Sequence, residues 1–143
     1  MIVFLLAAMT LIGLALGGAL PAAGGAIRDA RSAAWALEAD GAARLGIEAA
    51  IGSGWTAAAA LTPPAGTIPL GLVVVGPRST VSASARRIGG EAWVIEARGE
   101  VRDAGGGLLS ASEVGLLGRL VQTPADTIPR FVAASRGWFR RPP

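Results

Sequence analysis

From Ile2 to Ile27 the chain carries no charged residue, and Arg28 is the first charge. Roughly 20 apolar residues suffice to cross a bilayer, so this run is long enough to span one. After Arg28 the pattern changes. Ala30, Ala33, Ala34, Ala36, Ala39, Ala42, Ala43, Ala49 and Ala50 are strong helix formers. Leu37, Leu45 and Ile51, with alanines between them, are expected to line one face against a sheet. Asp29, Glu38, Asp40, Arg44 and Glu48 are expected to form a charged exterior. Asp40–Arg44 and Arg44–Glu48 are each spaced for a weak ion pair one turn apart. Gly52-Ser53-Gly54 ends the segment. The pattern therefore predicts one helix from Met1 to Ile51, about 75 Å long if straight. Its first half (1–27) is apolar and its second half (28–52) amphipathic.

Residues 53–66 read as a connecting loop, broken by Pro63-Pro64. Strand patterns follow from 67 to 123. Ile68 to Val75 is apolar and β-branched. Thr80 to Arg87 alternates, with Val81, Ala83 and Ala85 on one face and Ser82, Ser84 and Arg86 on the other. Gly89-Gly90 marks a turn. Ala92 to Val101 alternates again, setting Trp93, Ile95 and Ala97 against Val94, Glu96 and Arg98. Asp103 to Gly107 is a glycine-rich hairpin connection, and Ser110 to Val121 returns as a further strand. The sum is an antiparallel meander of about four strands. Such a sheet needs cover on one face, and the helix at Ile27 to Ile51 is the amphipathic element available. The expected class is α+β: a long N-terminal helix packed on a small antiparallel meander. Residues 124–143, with four prolines and with Trp138 and Phe139 among arginines, read as an irregular solvated tail.

Composition narrows the chemistry. Lysine, histidine, cysteine, tyrosine and asparagine are absent, and all 13 basic residues are arginine. The bias fits a GC-rich genome better than adaptation to a ligand. The usual general bases, nucleophiles and metal ligands are therefore missing. Glu91, Glu96, Glu100 and Asp103 alternate with arginines and read as surface ion pairs. Ser53 lacks both the spacing of a nucleophile elbow and a histidine to activate it. Gly105-Gly106-Gly107 lacks the lysine of a phosphate loop and reads as a turn. No catalytic residue, cofactor site or metal site is expected, nor any nucleic-acid partner.

The apolar segment admits three readings. A cleaved secretory signal would need a basic n-region, but Met1 leads straight into Ile-Val-Phe-Leu-Leu. A permanent anchor meets the positive-inside rule awkwardly, because Arg28 and Arg31 follow the segment. The third reading is a filament-subunit helix that begins directly at the mature residue after loss of a basic leader. Pro21 should kink the helix, and Gly17, Gly18, Gly24 and Gly25 weaken the same region. Gly13 and Gly17 form a GxxxG pair of the kind that lets helices approach closely in lipid.

The run MIVFLLAAMTLIGLALGGALP, the helix RDARSAAWALEADGAARLGIEAAI and the later TVSASARRIGGEAWVIEARGEV with LLGRLV resemble the minor pilins and pseudopilins of type IV pilus and type II secretion systems. The likeness is greatest to the PilX or GspK-like branch. It implies a pilin-like fold and an assembly helix marked by Met1, Leu5, Gly13, Gly17 and Pro21. Major pilins carry Glu five residues into the mature chain, where this sequence has Leu5. That departure implies a minor subunit, perched at a filament tip where no amino terminus ahead needs a carboxylate. The implied partners are other pilin or pseudopilin subunits, the inner membrane, and a prepilin peptidase if a leader exists. The implied location is the inner membrane with a periplasmic C-terminal domain, or an extracellular filament. The alternative from a different class is a small secreted or membrane-anchored β-rich binding domain behind a signal peptide.

Overall fold

A computed structural model describes residues 2–141, with side chains from Gly24 onward. The elements in chain order are α1 (Ile2–Gly52), α2 (Thr56–Ala59), β1 (Thr67–Val74), β2 (Ser79–Gly89), β3 (Ala92–Arg102), β4 (Leu108–Val121) and β5 (Arg130–Arg141). The chain divides into two compact units, 1–34 and 35–143. In the first, Arg28 Nε donates to the Gly24 carbonyl at 3.3 Å, and Ser32 Oγ donates to the Asp29 carbonyl at 2.8 Å. Both are bonds within one turn that a helix tolerates.

The second unit is an α+β arrangement. The C-terminal part of α1 packs on a five-stranded antiparallel sheet in the order β1-β2-β3-β4-β5. Every strand pairs with its neighbour in sequence. Alternation sorts the side chains as the sequence predicts. Ala83, Ala97 and Val114 form one inward row, and Ala85, Ile95 and Leu116 the next. Ser82, Arg98 and Glu113 form an outward row, beside Ser84, Glu96 and Gly115. Ala43, Ile47 and Ala50 of the helix meet the inward rows in the core. Trp55 closes one end, its ring 5.1 Å from Trp93 and 5.9 Å from Phe131, tilted against both. Such tilted aromatic pairs add about 0.5–1.5 kcal/mol beyond their buried area.

Four expectations are corrected. The sheet has five strands rather than four, because the segment read as an irregular tail at 124–143 contains β5. Its pattern is broken by an irregularity: Gly118 faces Ala133 while Leu116 faces Trp138, so residues 134–137 bulge out of the ladder. Residues 53–66 include one short helix, α2. Leu37, Leu45 and Ile51 do not line the sheet; all three are exposed. Asp40, expected on the charged exterior, is buried.

Candidate interaction surfaces

The helix meets the sheet through small residues, for a steric reason. A Cβ on Gly99 of β3 would collide with the backbone of α1, meeting the Ala39 carbonyl oxygen and lying 2.7 Å from the Ala43 nitrogen. A Cβ on Gly46 would collide with Val81. Helix and sheet backbones thus nearly touch at Gly99, leaving space only for Ala39, Ala42, Ala43 and Ala50, with Ile47 as the one large side chain at the contact. A leucine has no room there. Leu37 and Leu45 project from the opposite side, 73% and 51% exposed. This leaves Leu37 and Leu45 uncovered on a face they share with the exposed Arg44 and Glu48.

A polar clasp ties the last strand to the helix. Arg140 of β5 donates to Asp40, with Nε at 3.0 Å and Nη2 at 2.7 Å from Oδ1. Arg44 Nε donates to the other carboxylate oxygen at 3.1 Å, and Ser112 Oγ donates to Oδ1 at 3.3 Å. Arg44 turns to Asp40 rather than to Glu48, and its guanidinium also lies 5.4 Å over the Trp138 ring. Burial alone would raise the Asp40 pKa. The hydrogen bonds from Arg44 and Arg140, with their charges, outweigh it and hold the carboxyl below its usual value. Nearby, Ser79 Oγ donates to Glu38. The Asp40–Arg44 pair follows from their spacing one turn apart, whereas the contacts of Asp40 with Ser112 and Arg140, 72 and 100 residues away, are not visible in local sequence pattern.

Of the carboxylates singled out from sequence, Glu96 and Glu100 lie on the outward face of β3, and Glu91 and Asp103 in the turns at its two ends. Glu96 meets Arg86 at 3.3 Å and lies at 4.0 Å from Arg141. Glu100 sits between Arg98 at 2.9 Å and Arg102 at 2.6 Å. The hydrogen bond from Arg102 is the main reason its pKa is lowered; burial opposes the shift and Arg98 adds to it. Glu113 takes the other arm of Arg98 at 3.2 Å. Asp103 accepts from the Gly105 and Gly107 amides at 2.9 and 2.7 Å, an Asx turn that shapes the β3–β4 hairpin. Glu91 contributes its backbone carbonyl, which accepts from the Leu120 amide at 2.9 Å. A cleft of about 240 Å³ lies over this face, with Ser82, Ser84, Glu96, Arg98, Phe139 and Arg141 in its lining. Phe139 lies flat over Gly115, where any side chain would collide with its ring.

Glu96, Glu100 and Glu113 are thus engaged by guanidinium groups, and Asp103 by backbone amides. Among the described residues, no three His, Cys, Asp or Glu side chains are grouped to hold a metal ion. Met1, Leu5, Gly13, Gly17 and Pro21 lie outside the residues whose side chains are described, as do the kink and close helix approach expected of them. Among the described residues no helix is long and apolar enough to cross a membrane. No protein-family model matches this chain, and no curated protein or solved structure is significantly similar to it.

Proposed function

We propose that the protein is a non-enzymatic, minor pilin-like subunit that takes part in assembling a type IV pilus or type II secretion filament. The observation that carries this reading is the division of labour along α1. Its C-terminal part covers a small antiparallel sheet through alanine and glycine, while its larger apolar side chains, Leu37, Leu45 and Ile51, stay uncovered. Since the close helix–sheet approach leaves no room for them inside, these side chains are free to meet a partner. The uncharged run from Ile2 to Ile27 supports the same reading, because a filament core is built from such helices. In this reading the apolar helix first holds the subunit in the inner membrane, with the sheet domain on the periplasmic side. It then associates with the helices of other subunits, and the sheet domain contacts neighbours from outside. A leader, where one precedes the chain, is removed by a prepilin peptidase.

A second reading, a small β-rich binding domain behind a signal peptide, draws on the cleft beside Phe139. Mass spectrometry of the N-terminal peptide from native membranes separates the two. An N-methylated terminus within a residue or two of Met1 is the outcome expected of a processed filament subunit. A terminus near Ile27 removes the apolar helix from the mature protein, sinks the filament reading and leaves the binding domain.

A further inference from the structure

The two edges of the sheet are finished differently. Edge strands offer unpaired backbone groups, and proteins usually guard them with charges, prolines or bulges. β5 has such guards: Arg130, Arg136, Arg140 and Arg141, and the bulge at 134–137. β1 has them in its first half alone, at Pro69 and at the irregularity reaching Gly71, whose φ of +95° suits glycine. From Thr67 to Gly76 no residue is charged. Beyond Gly71 the ladder is regular again, Leu72, Val73 and Val74 facing Ser82, Val81 and Thr80. Leu72 and Val74 stand on the outer side of the sheet, 69% and 71% exposed. Val73 stands on the helix side, beside a notch of about 70 Å³ that includes Gly46, Ala49 and Ser53 in its lining.

We infer that two copies of this chain pair antiparallel through the second half of β1, Leu72 to Val74, joining their sheets edge to edge. Charge selects the occupant. An uncharged, apolar strand suits the place beside Leu72 to Val74, since its side chains cover these exposed apolar ones, whereas a charge there finds no opposite charge on β1. Of the chain's own strands, β2 carries Arg86 and Arg87, β3 and β4 carry both signs, and β5 carries four arginines; only β1 is uncharged. Two β1 strands related by a two-fold axis bring Leu72 and Val74 of each copy together on the outer face. Main-chain hydrogen bonds supply the pairing, as in other strand additions. The geometry also limits the assembly. Each copy has one bare edge, so an isologous pair uses both and presents only arginine-bearing β5 edges outward.

The sequence has no cysteine, so single cysteines report cleanly on this pairing. The full chain in detergent would carry Leu72→Cys, Val73→Cys or Val74→Cys, with Ala133→Cys on the β5 edge as control, and be treated with a short bis-maleimide. The expected result is covalent dimer from the β1 positions and none above background from Ala133→Cys. Adding Val74→Arg to Leu72→Cys should abolish that dimer while leaving the circular dichroism and melting temperature unchanged. Equal cross-linking at Ala133→Cys, no cross-linking at any β1 position, or a β1 cross-link that survives Val74→Arg would each overturn the pairing. These outcomes leave the processed N-terminus untouched, so edge pairing and the filament reading fail separately.

Discussion

The two faces of α1 between Trp35 and Gly52 differ in a way that inverts the usual reading of amphipathic helices. The buried face is made of Ala39, Ala42, Ala43, Ile47 and Ala50, and the exposed one holds Leu37, Leu45 and Ile51. Hydrophobicity alone would assign the leucines to the core. Distance decides otherwise. At Gly99 the helix backbone comes so close to β3 that not even a methyl group fits between them. Close approach gives many dispersion contacts to small side chains, and leaves large ones free for other surfaces. One face is therefore set by steric fit, and the other is available to a partner.

The sharpest way to break this contrast is Gly99→Val. Its side chain would press on helix backbone that cannot rotate away, so the expected loss is about 3 kcal/mol or more, read from urea unfolding. Ala43→Leu tests the same limit from the helix side, with an expected cost of about 1–3 kcal/mol in the same measurement. Asp40→Ala removes the polar clasp and should cost about 1 kcal/mol, since Arg44 and Arg140 keep access to water. The pH dependence follows from the direction of the Asp40 shift. Its pKa is lowered on folding, so its contribution is complete above the unfolded carboxylate value and is lost as pH falls through the lower folded value. Melting temperature should thus be insensitive to Asp40→Ala below that folded value and sensitive to it at neutral pH. The smallest stability effect belongs to the other face. Leu37→Ser with Leu45→Ser should change unfolding by no more than about 0.5 kcal/mol each. In the filament reading the same pair should still lower incorporation into filaments, scored by immunoblot of sheared fractions; unchanged incorporation would remove that face from the interface.

The strands with clean alternation were legible. Val81, Ala83 and Ala85, and then Trp93, Ile95 and Ala97, face the helix as their period of two requires. β5 was not, because the bulge at 134–137 moves its inward residues out of step: Phe131 and Ala133 precede it, and Trp138 and Arg140 follow. Prolines at 124 and 129 strengthen the impression of a tail, although they lie in the loop before the strand. Helix existence was legible from alanine content, but its inner face was not. That face depends on Gly99, which lies more than fifty residues downstream and looks in sequence like an ordinary interruption of a strand. Asp40 shows the same limit: a carboxylate one turn from Arg44 reads as solvent-exposed until Arg140 arrives over it.

The meander has a consequence for the order in which the protein becomes itself. Each strand finds its partner in the segment just made, so the sheet grows by short hairpin closures. The helix comes first and must wait. Its Glu38 meets Ser79 across 41 residues, its Asp40 meets Ser112 across 72 and Arg140 across 100. The extra entropy of the longest closure over the shortest is small, little more than one doubling of loop length at about 0.6 kcal/mol. The delay is the larger matter. During synthesis the alanine face of the helix stays open to water, and to other nascent chains, until β3 brings Gly99 beneath it. Arg140 then fastens the last strand across the finished sheet, so a ribosome that stalled before β5 would release a sheet with β4 as a bare edge and Asp40 without its nearest guanidinium.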